Sequence, residues 1–160
     1  MTTSTRRCAR YVQSMHRVVL DTVIFVRSLI NRSGLWGRLV FVHGERYRLV
    51  ISEPIVREIL EVLRRPELAR KYRGFASANL QTILDIVARA EVVELGEIPA
   101  VSRDPKDDKF LATAAQAGAD FLVSEDQDLL VLREYEGVRI VDAATFLALL
   151  GAQEDTTGKV

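Results

Sequence analysis

Apolar residues fall along this chain in short unbroken blocks, and stretches of helical period separate one block from the next. Val18–Asp21, Tyr47–Ile51, Glu91–Leu95, Phe121–Val123 and Val138–Val141 read as strands. Runs as short and continuous as Phe121-Leu122-Val123 suit strands buried on both faces. Between them, helical spacing predicts helices over Ile24–Ile30, Leu35–Val42, Leu68–Tyr72, Ala76–Arg89, Leu129–Arg133 and Ala143–Leu150. Two further helices come from their punctuation. Ser52 suits an N-cap and Pro54 a first turn, with Pro66 stopping that helix near Arg65. Asp107 opens another that ends at about Ala117, where Gly118 suits the C-cap. Asp142 is placed to cap the final helix. The alternation predicts one α/β domain, a mostly parallel sheet covered on both faces.

The length of 160 residues allows one substantial core, and 48% hydrophobic content is ordinary for a globular chain. The 22 basic and 22 acidic residues cancel, which excludes a strongly basic coat for nucleic acid but not a local patch. Cys8 stands alone, no Cys/His spacing suits zinc, and a reducing cytoplasm fits best. No apolar run reaches the roughly 18–20 residues of a membrane span. Residues 1–16 carry Arg6, Arg7 and Arg10 without an acid and lack the apolar core of a secretory signal. They read as a basic, flexible extension, of which Met1–Ser14 lies upstream of a second methionine, Met15. Residues 17–150 form the domain, and 151–160 read as a flexible polar tail.

Four acids change this picture. Asp21 closes the first strand, Glu58 lies in the helix after the second, Asp108 opens a helix and Asp126 follows the fourth strand. In an open parallel sheet the carboxyl ends of the strands border the ligand crevice. Carboxylates gathered there repel one another unless a cation lies between them, and hard oxygen donors suit Mg²⁺ or Mn²⁺. Each acid has a plainer role available. Asp21 and Thr22 suit a helix cap, Glu58 a solvated helix face, Asp107 and Asp108 a helix N-terminus, and Asp126 and Asp128 a turn. The combination carries the weight. His16 and His43 fall outside these motifs, which argues against histidine catalysis.

Val19-Leu20-Asp21-Thr22, Ser52-Glu53-Pro54-Ile55-Val56-Arg57-Glu58-Ile59, Arg103-Asp104-Pro105-Lys106-Asp107-Asp108-Lys109-Phe110-Leu111 and Leu122-Val123-Ser124-Glu125-Asp126-Gln127-Asp128-Leu129-Leu130 together resemble the PIN-domain family. The likeness is closest to its branch of toxins from toxin–antitoxin pairs and spans roughly Arg17 to Leu150. It implies a Rossmann-like three-layer α/β/α sandwich and a metal-dependent endoribonuclease of single-stranded or loop RNA, restrained by a protein antitoxin. By position, Asp21, Glu58, Asp108 and Asp126 match the family's catalytic and metal-binding acids. Thr22, Asp107 and Asp128 match supporting positions. The family's usual Asn after Asp-Thr is Val23 here, which keeps open a weakly active or inactive PIN-like module that binds RNA or protein. A phosphoacceptor domain shares the acidic crevice but needs a paired acid and a late lysine that have no place here.

Positive charge for RNA phosphates is available at Arg57, Arg64, Arg65, Arg70, Lys71 and Arg73 within and just after the Glu58 helix, and at Arg103, Lys106 and Lys109 around the third motif. The plainer alternative is a solvated helix face. Tyr72 and Phe75 offer rings for stacking or for the core. The apolar residues of Leu35–Val42 exceed what one helix face buries, which predicts a homodimer through that segment. Trp36 then packs a helix start or the dimer contact.

Overall fold

The computed structural model describes residues 15–157, with side chains to residue 152, so the basic extension over Met1–Ser14 lies outside the described residues. The strands are β1 (Arg17–Leu20), β2 (Arg48–Ser52), β3 (Glu91–Val93), β4 (Phe121–Val123), β5 (Glu134–Tyr135) and β6 (Val138–Val141). The helices are α1 (Thr22–Ile30), α2 (Leu35–Gly37), α3 (Glu53–Leu63), α4 (Pro66–Lys71), α5 (Phe75–Arg89), α6 (Asp108–Ala117), α7 (Gln127–Leu130) and α8 (Ala143–Thr157).

The sheet runs β3-β2-β1-β4-β6-β5, parallel except for β5 against β6. It is the α/β/α sandwich that the alternation predicts. Val18, Val19, Leu20, Leu122 and Val123 lose essentially all exposure, because the central strands are covered on both faces. Phe25, Phe110 and Phe146 fill the spaces between sheet and helices. Strand order reverses between β1 and β4. Their carboxyl ends, at Asp21 and Ser124, therefore border the switch-point crevice where α/β sheets bind ligands.

Four local departures from the sequence expectation have physical causes. Leu35–Val42 is not one regular helix; after α2 the backbone widens into a π-type turn over Arg38–Val42. Gly37 permits it, since a Cβ there would lie 2.2 Å from the Arg32 carbonyl oxygen. Ser52 stands at the N-cap of α3 but does not cap it. Its hydroxyl lies 2.7 Å from Thr113 Oγ1, which itself donates to the Lys109 carbonyl, so Ser52 must be the donor between sheet and α6. The β5–β6 hairpin was not legible, because β5 has only two residues. Its turn uses positive φ at Glu136 (47°) and Gly137 (82°), as tight hairpins require. Last, α8 continues to Thr157 where the sequence suggests a tail from residue 151.

Asp142 behaves as predicted, its Oδ1 accepting from Thr145 N at 2.8 Å. Asp142→Ala is expected to cost about 0.5–2 kcal/mol in chemical denaturation and to leave the crevice chemistry unchanged.

Candidate active site and metal centre

Asp21 is fixed by both of its oxygens. As N-cap of α1 it accepts from Val23 N through Oδ1 at 3.1 Å, and its Oδ2 accepts from Ser124 Oγ at 2.7 Å. The Ser124 hydroxyl in turn accepts from Asp126 N at 3.0 Å, tying the ends of β1 and β4 together. Asp126 caps α7 through Asp128 N. The plain capping roles are thus real, and they also aim the acids into the crevice. Glu58 arrives from α3, where Thr22 Oγ1 donates to its Oε2 and Lys109 Nζ lies 3.0 Å from its Oε1.

The crevice holds about 360 Å³ and is lined by Asp21, Glu58, Asp104, Asp107 and Asp126, with Val23, Val26 and Phe110 forming an apolar wall. Of the four acids singled out from sequence, the structure brings together Asp21, Glu58 and Asp126. Asp108 does not line the crevice. Its Oδ1 accepts from Val101 N at 3.2 Å, Ser102 N at 2.8 Å and Ser102 Oγ at 2.8 Å, so it fastens the loop before α6. The neighbouring Asp107 takes the crevice position. One helical step rotates a side chain by about 100°, and sequence alone does not say which of two adjacent acids faces inward. Thr22 lines the crevice and donates to Glu58, and Asp128 follows Asp126 in the first turn of α7. Carboxylate oxygens of Asp107, Asp126 and Asp128 come within 4.8 Å of one another.

The predicted basic residues divide. Lys106 lines the crevice, and Lys109 is engaged with Glu58. Arg57 is exposed and paired with Glu53, Arg64 borders a separate small apolar groove, and Arg103 does not line the crevice. Arg27 and Arg65 also line it; Arg65 belongs to the basic cluster read around the Glu58 helix, whereas Arg27 was missed. Arg65 stands in extended backbone between α3 and α4, as the N-cap residue of α4. Arg27 follows Val23 by one turn, and its guanidinium lies 4.7 Å from the Trp36 ring. Trp36 donates to Glu125 at 3.2 Å, and Phe75 joins the core.

A family model for the PIN domain matches residues 17–128, well over half of the chain. The chain belongs to the PIN-domain family. An uncharacterized protein of Methanocaldococcus jannaschii is 29% identical over 119 residues, 74% of this chain and 76% of that protein. Among solved structures, PAE2754 from Pyrobaculum aerophilum superposes with a TM-score of 0.58 at 19% identity, covering 86% of this chain and 90% of that one. VapBC2 from Rickettsia felis, bound to a DNA fragment from their promoter, gives 0.53 at 14% identity, covering 79% and 98%. At these identities the two structures share the PIN fold, and the matched segment contains all of Asp21, Glu58, Asp107 and Asp126.

The electrostatics of this PIN crevice fit a divalent cation. Burial, and then the charges of Asp126, Asp104 and Asp21, push the Asp107 carboxyl up to about 7. Burial likewise raises Asp21, against the hydrogen bonds from Ser124 and Val23. Asp107 Oδ2 is the one buried side-chain polar atom without a hydrogen-bond partner among the described residues. An orphaned, crowded oxygen donor suits a hard cation. By contrast, although burial opposes it, Ser102 and Val101 hold Asp108 below the ordinary carboxylate range.

A pH dependence follows. Asp107 ionises near pH 7 when folded and near 3.8 when unfolded, so the folded state binds more protons between these values. Metal-free protein should therefore lose stability as pH rises from about 4 to 7 and level off above. Thermal melts in EDTA at pH 5, 6.5 and 8 should show the fall, and Asp107→Asn should flatten much of it. A slope unchanged in that variant would assign it elsewhere.

Proposed function

We propose that this PIN domain is a divalent-metal-dependent endoribonuclease, the toxin of a toxin–antitoxin pair acting in the cytoplasm on single-stranded or loop RNA. The observation that carries the reading is the convergence of Asp21, Glu58, Asp107 and Asp126 on one crevice, with a buried Asp107 oxygen that has no hydrogen-bond partner among the described residues.

Asp107, Asp126 and Asp128, whose carboxylate oxygens lie within 4.8 Å of one another, would hold the cation, with Asp21 and Glu58 beside them. Mg²⁺ or Mn²⁺, when bound, supplies the Lewis acidity for phosphodiester hydrolysis. The protein's own part is positioning. Ser124 and Val23 N fix Asp21, and Thr22 and Lys109 fix Glu58, so little reorganisation is needed when substrate arrives. Arg27, Arg65 and Lys106 line the same crevice and give it cationic contacts for substrate phosphates. The apolar wall of Val23, Val26, Ile30 and Val62 gives an antitoxin segment a surface to pack against.

The toxin assignment is supported by the motif resemblance and by the fold shared with VapBC2. A homodimer through the α2 region remains part of the reading, but on a reduced base. Leu39 is buried within the chain and Phe41 lies under Arg32, while Val42 stays exposed. Light scattering at micromolar concentration tests it. The enzymatic reading is tested by sizing RNA fragments formed with Mg²⁺, with Mn²⁺ and with EDTA. Val23, 41% exposed at the crevice, favours a second reading, a weakly active module that binds RNA or protein. RNA retained by the protein but left intact in Mn²⁺ would favour it.

A further inference from the structure

The carboxylates of the crevice are not equivalent. Asp107 Oδ2 has no hydrogen-bond partner among the described residues, whereas both oxygens of Glu58 are engaged, one by the Thr22 hydroxyl and the other by the Lys109 ammonium at 3.0 Å. Three helices meet there. Thr22 opens α1, Glu58 lies in α3, and Lys109 lies in the first turn of α6 beside Asp108. The side chains of Lys109 and Glu58 are only 17% and 21% exposed, so water screens the pair weakly. A unit positive charge is therefore held on Glu58, one of the acids that line the crevice.

We infer that Lys109 is an internal counter-ion that sets the divalent-cation affinity of the crevice, neutralising Glu58 in the free protein and opposing the metal when it enters. The inference rests on the metal reading of the crevice and adds a residue that regulates it. Lys109 is a positioning residue, acting through Glu58. Its ammonium holds Glu58 Oε1 from the first turn of α6. Lys109 thus lowers affinity and keeps Glu58 oriented. A purely structural lysine would do only the second.

The two roles predict opposite results. Manganese binding is measured by isothermal titration and by the loss of the free Mn²⁺ paramagnetic signal, on wild type, Lys109→Met, Lys109→Gln and Lys109→Arg. Removing one nearby like charge should tighten Mn²⁺ binding about tenfold or more in both neutral variants. The arginine variant, which keeps the charge, should stay within about threefold of wild type. Thermal melts in EDTA check folding, and the glutamine variant retains a donor toward Glu58 should the methionine variant fail to fold. Unchanged or weaker Mn²⁺ binding in folded neutral variants would overturn the inference and leave the metal reading standing. Absence of Mn²⁺ binding at millimolar concentration in all four proteins would overturn both.

Discussion

Asp107→Asn should reduce metal-dependent RNA cleavage by about a thousandfold, while Asp108→Asn should leave cleavage per folded molecule within about threefold. The first substitution removes a negative charge at the crevice. A pair of unit charges about 4 Å apart interacts by about 4 kcal/mol at an effective dielectric of 20, which is three powers of ten in affinity or rate. It should not damage the metal-free fold, because burial and neighbouring acids already push that carboxyl up to about 7. The second substitution touches a different structure. Asp108 accepts from Val101 N and twice from Ser102, and an amide oxygen can still receive these bonds without the charge. The expected loss is about 1–2 kcal/mol of stability, from exchanging charge-assisted for neutral hydrogen bonds. Cleavage assays paired with urea unfolding separate the two cases. Equal activity loss in both variants would mean that the acids act as one unit.

Divalent metal should stabilise the fold. A cation that binds only the folded state contributes about 2.7 kcal/mol at a hundred times its Kd. For a domain of this size that is a rise in Tm of roughly 5–10 °C. Mn²⁺ should produce it at pH 7.5, EDTA should reverse it, and Asp107→Asn should lose most of it. Mn²⁺ relieves the repulsion among Asp21, Asp107 and Asp126, so the shift should be larger at pH 8 than at pH 5, where Asp107 is protonated. A Tm unaffected by Mn²⁺ would remove the metal from the account.

Strand positions and the ligand crevice were legible because burial on both faces forces apolar blocks such as Val18-Val19-Leu20 and Phe121-Leu122-Val123. Asp21 and Asp126 were legible for a related reason, since each directly follows or nearly follows a buried strand at the switch point. The third acid was harder. Asp107 and Asp108 are adjacent, and which one faces the crevice depends on the short 3₁₀ turn Pro105–Asp107 that leads into α6. That turn is set by Asp104 capping Lys106 N, a local geometry that hydrophobic period does not encode. Ser124 was missed because a serine after a strand has many uses, and only the pairing of β1 with β4 places it against Asp21. Among the cations, charge clustering pointed to Arg57, Arg64 and Arg65 alike, and of these only Arg65, in the extended junction between α3 and α4, lines the crevice.

The central claim is that four convergent carboxylates, including Asp107, make this PIN domain a metal-dependent ribonuclease. Its most direct test is a time course of cleavage of a single-stranded RNA in Mn²⁺ by wild type and Asp107→Asn purified in parallel, each repeated in EDTA. Fragments are expected from wild type in Mn²⁺ alone and essentially none from the variant. Equal cleavage by both proteins, or cleavage by wild type that survives EDTA, would contradict it.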